Sequence, residues 1–417
     1  MNERLLQYIW QFQHFNKGEL RTLEDEPLQM IHPGMLNTNQ GPDFLDAKIV
    51  IGKTTWAGSV ELHINSSDWK IHHHDADKNY NNVILHVVWK HDVELRLPFP
   101  TLILAERVPK LLLDKFDELM HVPLFIPCEK HLHRVDNITI RSMNDRMLVE
   151  RLENRSKAIE QFLQQNNSHW EETFWWLLAK NFGAHINMEM FEKIARSLPV
   201  TILSKHKSQV IQLEALLFGQ ARLLESKFKE SYPKMLQKEY RFLKKKYGLQ
   251  QPAGALFFLR MRPFNFPTIR LAQLAMLVQE SNHLFSTIKN SKSVNEVKRL
   301  LDVTANDYWH YHYTFDEPST FRKKTIGQQM CNTILINAVI PVLFAYGLYH
   351  KDEAYKEKAI KWLTCLNAER NSITHGFTKL GLPNKNAFDS QAYIQLKHEY
   401  CDKKRCLECM IGNRILK

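Results

Sequence analysis

The chain has 417 residues, 44% hydrophobic and 24% charged, the composition of a folded protein long enough for two domains. Its 56 basic and 45 acidic side chains leave +11 with histidine neutral, an excess that favours an anionic partner, nucleic acid first and DNA ahead of RNA. Six cysteines in so long a chain do not make a disulfide framework, and MNERLLQYIWQFQHF at the N-terminus has no signal-peptide apolar core. A cytoplasmic protein with no membrane partner is therefore expected.

Leu5, Leu6, Ile9, Trp10 and Gln13 recur at helical spacing and predict a leading amphipathic helix. From Leu28 to about Leu104 the pattern turns strand-like. LQMIHP, LDAKIVI, WAGSVELHI, NVILHVVWK and ELRLPF are separated by Gly, Pro, Asn and Asp. Between the third and fourth lies SSDWKIHHHDADKNY, where Ser66, Ser67 and Asp68 suit a helix start. Past Pro123 long stretches carry Leu, Phe, Trp and Ala at helical spacing. The uncharged run from Thr325 to Tyr349 holds Gln328, Asn332, Asn337 and Pro341, and reads as a buried helix pair rather than a membrane span. The fold class is α+β: a domain over 1–125, then a mostly helical region over 126–417, with the junction near Pro127 to Val135.

Alternation along a strand puts Glu61 and His63 on one face and Val60, Leu62 and Ile64 on the other. Asp46 and Lys48 share a face of the preceding strand. A hairpin turn near Lys53 to Thr55 would bring Asp46 roughly opposite Glu61. Asp43 sits just before that strand, after Gly41 and Pro42. Carboxylates gathered at one point repel unless a cation lies between them, and a hard divalent ion with oxygen ligands resolves this. Such an ion activates water and stabilises charge on a phosphate. His72, His73, His74 and Asp75 follow directly. Imidazoles make zinc an alternative to magnesium or manganese, with His63, His72 and His74 as ligands. His86, alone on an apolar strand, reads as a hydrogen-bonded core histidine.

Pro42-Asp43 followed by Glu61-Leu62-His63 resembles the signature of the PD-(D/E)xK nuclease superfamily, as does the helix, strands, helix, strand order. The resemblance implies a restriction-endonuclease-like mixed sheet with flanking helices. It implies that Asp43 and Glu61 hold magnesium or manganese. His63 then takes the lysine position, a departure that removes a fixed positive charge which Lys48 would restore. GPDF, W-x-G-x-VE-x-H, SDW-x-x-H-x-H and LHVVW in succession are also similar to an uncharacterised bacterial family of unknown function.

Two further features stand outside this domain. His398, Cys401, Cys406 and Cys409 carry metal-ligand spacing, which suits a Cys3His zinc site. In some RecB-like nucleases, which this arrangement resembles differently, a terminal cysteine trio joins one distant cysteine around an iron–sulfur cluster, and Cys128 would be that ligand. Arg262, Arg270, Arg322, Lys323 and Lys324 flank helical stretches and can line a groove for phosphates. The leading expectation is a metal-dependent nuclease. A nonenzymatic nucleic-acid-binding or scaffold protein on a decayed nuclease fold is the first alternative, and a zinc hydrolase of a small molecule the second.

Overall fold

A computed structural model describes residues 1–417. The chain is α+β and divides into two compact units, one formed by 1–144 together with 396–417, the other by 145–395. The sequence reading instead put the break at 125 and left the C-terminus with the helices. Terminal residues return to the first unit because a short helix, Met410–Leu416, buries Ile411, Ile415 and Leu416 there.

In the first unit, helix α1 (Glu3–Gln11) starts where the Asn2 side chain accepts the Leu5 N–H at 2.9 Å. It buries Leu5, Leu6, Ile9 and Trp10 and packs against the longest strand. The sheet comprises β1 (Leu28–His32), β2 (Met35–Leu36), β3 (Phe44–Ile51), β4 (Thr54–Asn65), β5 (Val83–Lys90) and β6 (Thr101–Ile103). Its order is β1-β3-β4-β5-β6, with β2 also on β3. β1, β3 and β4 run antiparallel; β4, β5 and β6 are parallel. Val83 to Val88 are all buried, which matches the apolar run of a strand covered on both faces.

The predicted strand ELRLPF is not one. Pro98 and Pro100 cannot donate to a ladder, and pairing resumes only at Thr101, where β6 begins. The hairpin turn is tighter than expected: Ile51 pairs with Thr54, so Gly52 and Lys53 form it, with Gly52 at φ +59°. After β4 comes the short helix α2 (Asp68–Ile71), then two 3₁₀ turns, His74–Ala76 and Lys78–Tyr80. Helix α3 (Lys110–His121) follows β6.

The second unit is helical around one core that includes Phe174, Trp175, Phe218, Leu274, Trp309 and Leu343. Trp175 also donates its indole N–H to the carbonyls of Ala195 and Leu198 at 3.1 and 3.0 Å. The run Gln328–His350 is long and apolar enough to cross a membrane, but 72% of its apolar window is buried inside the protein, as a core helix requires. It includes a π-helical stretch, Leu335–Val339. Cys331 is core, whereas Cys365 is exposed at the end of its helix. Phe257 is 59% exposed.

Candidate metal centre

The site is built where β3, β4, β5 and the histidine segment meet. Gly41, at φ +109°, turns the chain so that Pro42 and Asp43 enter β3. Asn37 braces this turn through its amide to the Pro42 carbonyl at 2.9 Å. Phe44 pairs with Val60, so Asp43 comes to Glu61 and not, as register reasoning suggested, Asp46. The Asp43 N–H donates to Glu61 Oε2 at 2.9 Å, and Asp43 Oδ2 accepts the Leu62 N–H at 3.1 Å. Gln7 on α1 donates its amide to Asp43 Oδ1 at 2.7 Å.

Two expected site residues stand elsewhere. A bulge between Phe44 and Ala47 puts Asp46 at φ +57° with its side chain exposed. Lys48 pairs with Ala57, four residues from Glu61, which is roughly 13 Å along a strand. Lys48 is exposed and does not supply the charge that the His63 departure removes.

Around Glu61 the histidines converge. Glu61 pairs with His86 across the parallel β4–β5 ladder, so Glu61, His63 and His86 share a face. His63 Nδ1 meets His86 Nε2 at 2.9 Å, which makes His86 the orienting partner of His63. His63 Nε2 lies 3.2 Å from His72 Nδ1 and 3.5 Å from Glu61 Oε1. His74 Nε2 lies 3.4 Å from the same carboxylate oxygen. One ring nitrogen from each of His63, His72 and His74 falls within a group no wider than 4.8 Å. Trp69 turns its edge to His63, His74 and His86, and Tyr80 stacks on His74 at 3.9 Å. Trp69 is itself anchored by its indole N–H on Asp75 at 2.7 Å. Glu61 and His63 are buried, whereas His72 is exposed and opens the site to solvent.

Electrostatics sharpen the picture. Burial, then the charge of Asp43, pushes the Glu61 carboxyl well above the usual range. Burial and Glu3 push Asp43 upward as well, against the donors Leu62 N–H and Gln7. Burial and the neighbouring His86, His74 and His72 hold His63 down at about 2, and burial with His74 holds His86 at about 4. Histidines kept neutral are histidines with a lone pair to give. His74 Nε2 is buried with no hydrogen-bond partner. Four-coordinate ligands at about 2.0–2.1 Å from an ion stand roughly 3.3 Å apart, close to the separations seen here. His63, His72 and His74 thus can hold a single transition-metal ion, with Glu61 beside His63 and His74 and Asp43 bracing Glu61. Sequence reasoning missed Gln7; no local pattern links a helix residue to a strand that comes decades of residues later.

The remaining expected residues separate into groups. Arg262, Arg322 and Lys323 are exposed. Arg322 lies over the Phe264 ring at 4.6 Å. Arg270 and Lys324 are buried and do not reach outward. Arg270 donates to Gln273 at 2.9 Å and Asn265 at 2.6 Å; Lys324 donates to the His310 carbonyl at 3.2 Å and sits over Tyr313. The His398 side chain is 56% exposed and turned to Asp402 at 3.4 Å. Cys128, Cys401, Cys406 and Cys409 all belong to the first unit.

Neither the curated proteins nor the solved structures contain a match to this chain. A family model described as a protein of unknown function, DUF2851, matches residues 3–372, and so spans the whole site built from Gln7 to His86. The chain belongs to that family.

Proposed function

We propose that the protein is a metal-dependent nuclease, hydrolysing phosphodiester bonds of nucleic acid at the His63, His72, His74 and Glu61 cluster. The observation that carries this reading is the convergence of three imidazole nitrogens within 4.8 Å beside a buried carboxylate. Imidazole donors favour zinc over magnesium. A bound ion would supply an activated water and offset charge on the phosphate. His86 would hold the His63 ring in place, and Asp43 would hold Glu61 through its backbone N–H. The restriction-endonuclease-like relationship is part of the proposal; the antiparallel hairpin leading into parallel β4 and β5 agrees with it.

Charge distribution supports a nucleic-acid substrate. Of the 56 basic and 45 acidic residues, 35 basic and 23 acidic lie in 145–395. The helical unit therefore carries the whole positive excess. Within it, Arg262, Arg322 and Lys323 are exposed, as are Phe257, Leu259 and Phe321. Cations with exposed aromatics suit single-stranded nucleic acid.

The experiment is cleavage of labelled single- and double-stranded DNA and RNA with manganese, zinc or magnesium, beside the Glu61→Ala variant. Metal-dependent cutting by the wild type and not by the variant is expected. Equal cutting by both sinks the assignment. Binding without cutting points to a nonenzymatic nucleic-acid-binding protein. The histidine trio also favours a second reading, a zinc hydrolase of a small molecule. Hydrolysis of a small phosphodiester such as bis(p-nitrophenyl) phosphate, with nucleic acid left intact, would select it.

A further inference from the structure

Cys128 and the trio Cys401, Cys406 and Cys409 are far apart in sequence, yet they meet in one unit. Cys128, Cys406 and Cys409 are each 7% exposed. Cys128 precedes the 3₁₀ segment Glu129–Arg134, and Cys401 ends the π-helical stretch Leu396–Cys401. Cys406 opens a 3₁₀ turn, and Cys409 precedes the helix Met410–Leu416. That helix packs on both α3 and the Glu129–Arg134 segment. Lys115 donates to the Ile415 carbonyl at 3.0 Å, and Arg414 meets Asp136 at 3.3 Å. Lys404 donates to the Met120 carbonyl, and Lys397 lies over the Phe125 ring at 5.2 Å.

Gly412 allows the last fold of this segment. A Cβ there would stand 2.1 Å from the Cys406 carbonyl oxygen, so only glycine lets the helix close on the cysteine turn. That helix, which follows Cys409, packs on the segment that follows Cys128, and the stretch ending at Cys401 packs on the Cys406 turn, so the four thiols come into one neighbourhood. Burial, followed by the charges of Cys128, Cys409 and Cys406, holds the Cys401 thiol well above its ordinary range. Burial with Cys409 and Cys406 does the same to Cys128. Burial with Cys409 pushes Cys406 up to about 12. Lys397 and Lys404 act in the opposite sense on Cys401 and Cys406, as cations placed to offset thiolate charge.

We infer that Cys128, Cys401, Cys406 and Cys409 hold one metal centre through four thiolates, a zinc ion or an iron–sulfur cluster, which fastens the C-terminal segment to the first unit. Both kinds of centre accept four cysteines, and Cys-x4-Cys-x2-Cys with a remote fourth cysteine occurs for clusters. Each sulfur would give its proton to solvent as it binds metal. The centre is remote in chain position and in donor chemistry from the histidine site, and it requires nothing of the nuclease reading.

The test uses the full chain, expressed with iron and zinc supplied and purified without oxygen. Metal and acid-labile sulfide are measured per chain. About one zinc beyond any held at the histidine site, or about two to four iron with matching sulfide, is expected. Sulfide with iron identifies a cluster, and zinc alone a single ion. Cys401→Ser should lose that metal, whereas Cys331→Ser and Cys365→Ser should keep it. A wild-type chain without thiophilic metal overturns the inference, as does a Cys401→Ser chain with the full amount. Alkylation mapped by mass spectrometry on the wild type needs no variant to fold. Cys365 should react at once, and the four cysteines together only after a chelator is added. Reaction of the four at the Cys365 rate before chelation, or disulfides among them, also overturns it. The same counts made on a His72→Ala, His74→Ala chain exclude zinc at the histidine site, so the two sites fail separately.

Discussion

Two buried carboxyl groups, Glu61 in the sheet unit and Glu214 in the helical unit, have been raised by the same force and built for different ends. Burial is the first cause of the upward shift in each. Glu214 is fully buried, but neutral donors surround it: the Tyr232 hydroxyl at 2.7 Å and the Trp309 indole N–H at 3.2 Å. Held protonated, it is a satisfied part of a core network. Glu61 has one backbone donor, a second carboxylate beside it, and two imidazole nitrogens at 3.4 and 3.5 Å. A raised pKa alone therefore does not mark a site. Like charges and neutral histidines converging on one point do.

The hardest test of this contrast is substitution of both residues. Glu61→Ala should lower metal-dependent cleavage by more than about 100-fold and release the ion, because it removes a ligand where outer partners alone are worth 10–100-fold. Elemental analysis and cleavage rates measure both effects. Asp43→Asn should weaken metal binding by about 10–100-fold while the fold persists, since it removes the charge beside Glu61 and disturbs the Leu62 N–H and Gln7 contacts that set the Asp43 backbone against that ligand. Titration of the metal-free protein with zinc or manganese reads this out. An unchanged affinity would make Asp43 a bystander.

Glu214 should show itself in stability instead. Its pKa is raised from 4.5 to about 7, so the folded state holds the proton more tightly than the unfolded chain. The network is at full strength below pH 4.5 and weakens as pH rises through 7. Ionising the buried group costs roughly 3 kcal/mol over that window. Glu214→Gln keeps an acceptor for Tyr232 and Trp309 and cannot ionise. Urea midpoints from pH 4 to 8 should fall more steeply for the wild type than for the variant, with cleavage unaffected at any pH where both are folded. Parallel pH profiles would remove Glu214 from the comparison.

Smaller effects are expected at the surface. Arg322→Ala and Lys323→Ala should each reduce the salt dependence of nucleic-acid binding by about one unit of slope if their charges meet phosphates. Lys324→Ala should act through stability, since that ammonium is buried on Tyr313. Asp46→Ala and Lys48→Ala should change cleavage by less than about twofold, because both side chains are exposed and away from Glu61. A large loss at either would mean that the bulged register does not persist in solution.

What was legible in the sequence follows from local physics. Alternation in WAGSVELHI put Glu61 and His63 on one face, and helical spacing identified α1, because these patterns need only the chain's own geometry. The α+β character and the buried nature of 328–350 were readable for the same reason. Register was not. A single bulge at Asp46 exchanged Asp46 for Asp43 at Glu61, and nothing in LDAKIVI announces it. The break in ELRLPF depended on where a proline-flanked chain resumed pairing. The choice of Cys128 over His398 required knowing that the last helix returns to the first unit. Composition and periodicity determined which elements form and which faces they bury. Only the tertiary structure decided which residues from distant segments meet, because that is set by packing between elements, and no short stretch of sequence encodes it.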